Sequence, residues 1–264
     1  MAPALPWPFC QRPFTIANFD DHRIRLSVAA PVDLNNIAAF CTEYGWAAKQ
    51  FIAPELLLTP MHMEELMKER YKDAIRAIMD TCTPGTMTGI VIKIEYKDKI
   101  RGVMAINVVG PDLDDPWSLN ERQVGFRDEM AWIFPSFYMS TLSETLAEED
   151  NHAEPILNIP YFIVALEQPF LSACIPAFKR LVEMIATEYN RTAVLNIESG
   201  PYQNCFAPYF TGSTFQHTGE LLENVSGIYQ SYPTYTIYTH WTNPSVDTPG
   251  PYLDRIIRRV FADF

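Results

Sequence analysis

The sequence predicts an α/β protein, with strands and helices alternating along a chain of 264 residues. Three observations predict it. Two early stretches carry apolar residues at helical spacing. Two β-like runs flank a short charged turn and read as a hairpin. Farther on, a strand, a helix and a second strand follow in close order. A chain of this length buries a real core, as one large domain or two small ones.

Residues 23–29 (RIRLSVA) alternate polar and apolar side chains, the period of a strand. Asp33 then reads as the N-cap of a helix over 34–44, which Gly45 ends. The clearest helix is 61–82. Met63, Met67, Tyr71, Ala74, Ile75 and Ile78 form its apolar stripe, while Glu64, Glu65, Lys68, Arg76 and Asp80 face water. Strands 87–96 (MTGIVIKIEY) and 100–109 (IRGVMAINVV) enclose Lys97, Asp98 and Lys99.

The rhythm breaks over 110–154, which opens on PDLDDP and closes on Glu148, Glu149 and Asp150. A helix is predicted over 124–146, broken at Pro135. So short a segment rarely holds a core alone, so it reads as an insertion or lid. A strand over 161–166, a helix over 175–189, a strand over 193–197 and a short helix near 204–210 come next. The tail 228–240 (IYQSYPTYTIYTH) reads as strand, and 253–261 as a last helix carrying Arg255, Arg258 and Arg259. No repeat interrupts this order. Residues 1–264 read as a single domain, with a core over 23–241 and a C-terminal extension over 242–264.

A net charge of −12 argues against a nucleic-acid partner, which needs a basic face. It suits solubility and a cationic partner. Cys10, Cys41, Cys82, Cys174 and Cys205 are scattered, odd in number and without a C-x-x-C, so reduced thiols and no zinc framework are expected. His22, His62, His152, His217 and His240 show no metal-ligand spacing, so no metal is expected. The first residues lack the basic head of a signal peptide, and prolines interrupt their apolar run. No apolar run approaches the ~18 residues of a membrane span. These features predict a cytoplasmic protein that does not engage a membrane.

The stretch VALEQPFLSACIPAFKRLVEM, beginning at Val164, turns a strand into a helix. Free amides at such a corner attract anions. Corners that hold phosphate are normally rich in glycine, and this one has none. It reads either as a degenerate anion-binding loop or as an ordinary corner of the core.

The order of elements resembles that of the GNAT superfamily of acyl-CoA-dependent N-acyltransferases. In that family the corner after the fourth strand binds the CoA pyrophosphate through a Q/R-x-x-G-x-G/A loop. Here the place holds Gln168, Pro169, Phe170, Leu171, Ser172 and Ala173. Gln168 and Ala173 fit the first and last positions, Leu171 replaces the central glycine, and Pro176 removes an amide expected in the first turn.

Three features are similar to the invertebrate arylalkylamine N-acetyltransferase-like branch. The hairpin KIEYKDKIRGVMAIN over 93–107 matches that branch's G-x-I-V-G-V-x-x-N hairpin. FIAPELL over 51–57 matches its F-F-x-x-E-P-L, with Leu56 for the proline. A long segment separates the third and fourth strands, and a late strand ends in His240. The resemblance covers 23–241. It implies a mixed central sheet flanked by helices, with 110–154 inserted between the third and fourth strands.

It also implies roles. Amide formation from an amine and a thioester needs a base for the ammonium, a donor to the thioester carbonyl and an acid for the leaving thiolate. The glutamate of the family's motif corresponds to Glu55, whose neighbours Phe51, Ile52, Leu57 and Leu58 would raise its pKa if it is buried. The acid is a tyrosine of the fourth helix. Tyr209 stands one residue early for it, and Tyr202 is the alternative. Backbone amides around Ile163, Val164 and Ala165 would polarise the carbonyl. Acetyl-CoA or another acyl-CoA is the implied co-substrate and a small primary amine the acceptor; the abundance of aromatic residues (Trp132, Phe134, Phe137, Tyr138 and Trp241) suits an aromatic amine, and the acidic charge a cationic one. A decayed, non-catalytic GNAT-like binding module is the alternative. An α/β-hydrolase is disfavoured because G-x-S-x-G is absent.

Overall fold

Strand β1 (Phe14–Phe19) and strand β2 (His22–Val28) are joined by Asp20 and Asp21, whose φ angles are 45° and 58°. Lys97 and Asp98, at 51° and 57°, join β3 (Gly89–Tyr96) to β4 (Lys99–Val109) in the same way. Two successive left-handed residues match the twist of a two-residue hairpin. The second hairpin agrees with the sequence reading. The first was not expected, because Asp-Asp lacks the glycine that signals such a turn. In this computed structural model residues 13–44, 60–82, 87–109, 156–189, 193–198, 208–209, 215–220, 235–240, 257 and 260–261 are described.

Strands β5 (Ile156–Val164), β6 (Ala193–Glu198), β7 (Phe215–Glu220) and β8 (Tyr235–His240) complete one sheet in the order β1-β2-β3-β4-β5-β6-β8-β7. Every neighbouring pair is antiparallel except β5 and β6. β4 and β5 are direct neighbours, from Gly102↔Val164 to Val109↔Ile156, so residues 110–155 connect two adjacent strands. β5 begins at Ile156 rather than at 161, and β7 has no counterpart in the sequence reading.

Helix α1 (Leu34–Tyr44) and helix α2 (Pro60–Asp80) cover one face, and α3 (Phe170–Tyr189) covers the other. Consecutive residues of β5 show the two sides. Tyr161 meets Tyr71 of α2 edge-on at 5.5 Å, and Phe162 meets Phe178 of α3 at 5.3 Å. The alternation of a strand puts them on opposite faces. A Cβ added at Gly102 would lie 3.1 Å from the Phe178 ring, so glycine lets α3 sit close to the sheet.

The predicted α2 stripe holds where it is described, with Tyr71, Ile75 and Ile78 buried and Ala74 half-buried. Asp33 does not cap α1 as expected. It ends a 3-10 turn over Pro31–Asp33, accepts the Ala30 amide at 2.8 Å and pairs with Lys93 at 2.9 Å. α3 starts at Phe170, five residues before the expected 175, because the apolar residues Phe170, Leu171 and Cys174 already dock on the sheet. No described helix is long and apolar enough to cross a membrane.

Candidate functional site

The parallel pair separates partway along its length. β5 and β6 are paired only at Leu157↔Ala193, Asn158↔Val194 and Ile159↔Leu195. β5 then continues to Val164 against β4, and β6 continues to Glu198 against β8. The fork opens at Pro160, which has no N–H to give to a neighbour. There the β4–β5 register also slips between Ala105 and Asn107, setting Ile159 and Pro160 opposite Ile106. A proline at a bulge is the usual place for one inside a sheet.

Register decides which amides face the fork. The Ala165 amide donates to the Arg101 carbonyl at 2.9 Å. Bonded pairs alternate along an antiparallel ladder, so Ile163, opposite Val103, also bonds towards β4. The amide of Val164 points the other way, into the fork. Of the three residues expected to offer an amide, Ile163 and Ala165 therefore spend theirs on the sheet. Val164 and Ala165 are fully buried, and Ile163 nearly so.

At the end of β5 the chain turns through Leu166, Glu167, Gln168 and Pro169, with a cis Gln168–Pro169 bond. Residues 170–173 of the expected loop form the first turn of α3. The Phe170 and Leu171 amides donate to the Glu167 carbonyl at 2.9 and 3.4 Å, and the Ala173 amide to the Pro169 carbonyl at 3.1 Å. The Ser172 hydroxyl donates to the Pro169 carbonyl at 2.9 Å. The Ser172 amide has no backbone acceptor among the described residues.

Gln168 and Ser172 are exposed and Ala173 is half-buried. Leu171 packs into the core at 7% exposure, so its side chain does not stand in front of the loop. Pro176 lies in the second turn of α3 rather than the first, where it removes a bond to the Ser172 carbonyl.

Tyr209 is half-buried against the core, and its carbonyl accepts from Lys179 of α3 at 3.0 Å. That contact ties the 208–209 turn to the flank of α3. Glu55, Tyr202, Cys205, the insertion and Trp241 lie outside the described residues. His240 ends β8, opposite Ala193 of β6 and Phe215 of β7.

One residue at the corner escaped the sequence reading. Arg101 stacks its guanidinium 4.8 Å from the centre of the Phe170 ring, and its buried Nε finds no acceptor among the described residues. Only the bulge where β3–β4 register shifts after Ile94 brings it there. Beside it, burial pushes the Cys174 thiol up to about 12, and Arg101 opposes the shift. Burial also drives the Cys41 thiol upward. Neither is a nucleophile near neutral pH. Among the described residues no group of three or more histidine, cysteine and acidic side chains gathers at metal distance.

Antiparallel strands leading to a forked parallel pair, with a helix leaving the first strand of that pair, define the GNAT N-acyltransferase fold. Solved structures agree on the fold. An insect protein assigned as arylalkylamine N-acetyltransferase 7, from the yellow fever mosquito, matches with a TM-score of 0.52 at 11% identity, covering 86% of this chain and 94% of that one. A polyamine N-acetyltransferase of Drosophila melanogaster, which forms N-acetylagmatine, matches at 0.52 and 7% identity over 82% and 98% of the two chains. Arylalkylamine N-acetyltransferase 2 of Aedes aegypti matches at 0.50 and 16% over 83% and 99%. No protein-family model matches the chain, and no curated protein matches it by sequence.

Proposed function

We propose that this protein is an acyl-CoA-dependent N-acyltransferase that moves an acyl group, acetyl in the first instance, to a small primary amine. The observation that carries the reading is the fork. It leaves the Val164 amide without a strand partner, directly before a corner that starts a twenty-residue helix. A fixed amide in a water-poor cleft is the donor that a developing oxyanion needs. The corner supplies the exposed Gln168 and Ser172 for the phosphates. The solved neighbours named for arylalkylamines and polyamines agree with an amine acceptor.

In this reading Glu55 takes the proton of the ammonium, and the amine nitrogen attacks the thioester carbon. The Val164 amide stabilises the oxyanion. The C–S bond then breaks, Tyr209 protonates the departing thiolate, and the second proton that the nitrogen sheds as the amide forms returns to Tyr209. Gln168 and Ser172 hold the phosphates, and no covalent enzyme intermediate forms.

Acetyl-CoA with a panel of aromatic and aliphatic amines, followed by release of free thiol, tests the reading. Turnover that falls roughly 10²–10⁴-fold in Glu55→Gln, with CoA affinity unchanged, is the expected result. Full activity in that variant would remove Glu55 from the mechanism.

A second reading has its own support. Three amides of the first α3 turn are already bound to Glu167 and Pro169. A corner so satisfied suits a GNAT-like module that binds a ligand without turning it over. CoA binding with no thiol release on any amine would favour that module.

A further inference from the structure

The corner between β5 and α3 carries an acidic charge that the acyltransferase reading leaves unused. The stretch from Leu166 to Ala173 holds no basic residue and one acidic residue, Glu167. The Glu167 carbonyl takes the Phe170 and Leu171 amides at 2.9 and 3.4 Å, which places the residue at the N-terminal end of α3. Glu167 is exposed and directly precedes Gln168. A carboxylate is favoured at the positive end of a helix for the same reason that a phosphate is. Glu167 therefore competes for the field that an anionic ligand needs.

The contacts of its side chain show where the carboxylate is kept. The Tyr44 phenol donates to it at 3.1 Å from the last turn of α1. Among the described residues no cation pairs with it. Arg101, the cation at this corner, instead stacks on the Phe170 ring. Because α1 and α3 lie on opposite faces of the sheet, the bond to Tyr44 draws the carboxylate away from Ser172 and towards the other face.

We propose that Glu167 is the resident anion of this corner and limits how tightly the acyl-CoA phosphates are held, with Tyr44 as the positioning residue that keeps its carboxylate aside. The proposal rests on the acyltransferase reading, which gives the phosphates to Gln168 and Ser172, and adds to it a residue that opposes the ligand. Such opposition serves turnover, because the CoA left after transfer must depart. The effect is local: charges farther apart than about 8 Å are largely screened at physiological salt, and Glu167 adjoins Gln168. One like charge at that range is worth about three- to tenfold in affinity.

Isothermal titration with CoA tests the proposal in wild type, Glu167→Gln, Tyr44→Phe and the double variant. Glu167→Gln should bind CoA about three- to tenfold more tightly in ~0.05 M salt, and the gain should shrink in ~0.5 M salt. The same variant should melt no higher than wild type, because α3 loses an anion from its N-terminal end. Tighter binding without greater stability marks an opposing charge, whereas a merely structural role would lower both. Tyr44→Phe should weaken CoA about threefold, and adding it to Glu167→Gln should change nothing further. Glu167→Gln that binds CoA no more tightly than wild type would overturn the proposal while leaving the acyltransferase reading intact. An equal loss from Tyr44→Phe with and without Glu167→Gln would overturn the part given to Tyr44. If wild type binds no CoA at either salt concentration, the acyltransferase reading falls, and this proposal falls with it.

Discussion

The phenol of Tyr44, in the last turn of α1, donates to a carboxylate oxygen of Glu167 at 3.1 Å. The bond ties the helix on one face of the sheet to the corner that leads into the helix on the other. Glu167 is also the residue whose carbonyl takes the first two amides of α3. One residue thus anchors the corner from both sides. Burial, the charge of Glu167 and that of Glu43 push the Tyr44 hydroxyl up to about 12, against an opposing effect of Arg101.

That shift predicts an alkaline signature. A raised pKa favours the folded state while Tyr44 keeps its proton. The contribution is complete below the unfolded value of about 10 and is lost as pH rises towards 12. Absorbance titration should show one tyrosine ionising later than the exposed ones, and Tyr44→Phe should delete that late step. The variant should also lose about 0.5–1.5 kcal/mol at neutral pH, read by denaturant melting. An unchanged late step would mean that another tyrosine carries it.

A second set of charges makes a larger demand. Lys93 lies at 11% side-chain exposure between Asp33, at 2.9 Å, and Glu95, at 3.0 Å. Burial lowers its pKa, but the hydrogen bonds to Asp33 and Glu95 outweigh this and leave it raised. The contribution of the Lys93 proton is therefore full below the ordinary lysine value and lost as pH rises through the raised one. Lys93→Met leaves two carboxylates facing each other without their cation and should cost about 3–5 kcal/mol. Lys93→Met with Asp33→Asn and Glu95→Gln should recover much of that loss. A single variant as stable as wild type would show that solvent already screens the trio.

How legible these features were in the sequence depends on what signals them. The α1 and α2 periods, the 87–109 hairpin and the strand-corner-helix around Gln168 were legible because side-chain pattern alone encodes them. β1 was not, since FTIANF alternates poorly and Asp20-Asp21 hides its turn. The start of α3 was misplaced because Gln168-Pro169 reads as loop while Phe170 and Leu171 dock directly. The choice of Val164 over Ile163 and Ala165 is a matter of ladder register, which no single strand's sequence contains. Arg101 reaches the corner only through a bulge.

Arg101 offers a test of which local effect dominates. Its stacking on Phe170 is worth about 0.5–1 kcal/mol, whereas a buried donor without an acceptor costs about 1–3. The second term wins, so Arg101→Met should leave the ligand-free protein as stable or stabilise it by about 1 kcal/mol. A drop of more than about 1 kcal/mol in chemical melting would show that the ring contact matters more than the orphaned Nε.

The last prediction separates the fork from the ladder. The Val164 amide points into the fork, while that of Ile163 belongs to the bond with β4. Proline removes an amide hydrogen at either place but removes a sheet bond only at one. Val164→Pro should therefore fold, with at most a modest loss from its buried side chain. If the amide stabilises the oxyanion, kcat should fall by roughly 10²–10³ while CoA affinity holds. Ile163→Pro should instead destabilise the fold by about 3 kcal/mol, with activity lost through unfolding. Melting curves separate the two causes, and titration with CoA shows whether the corner survives. Equal kcat in wild type and a folded Val164→Pro would end the assignment of the oxyanion donor to Val164 and move the search to the other arm of the fork.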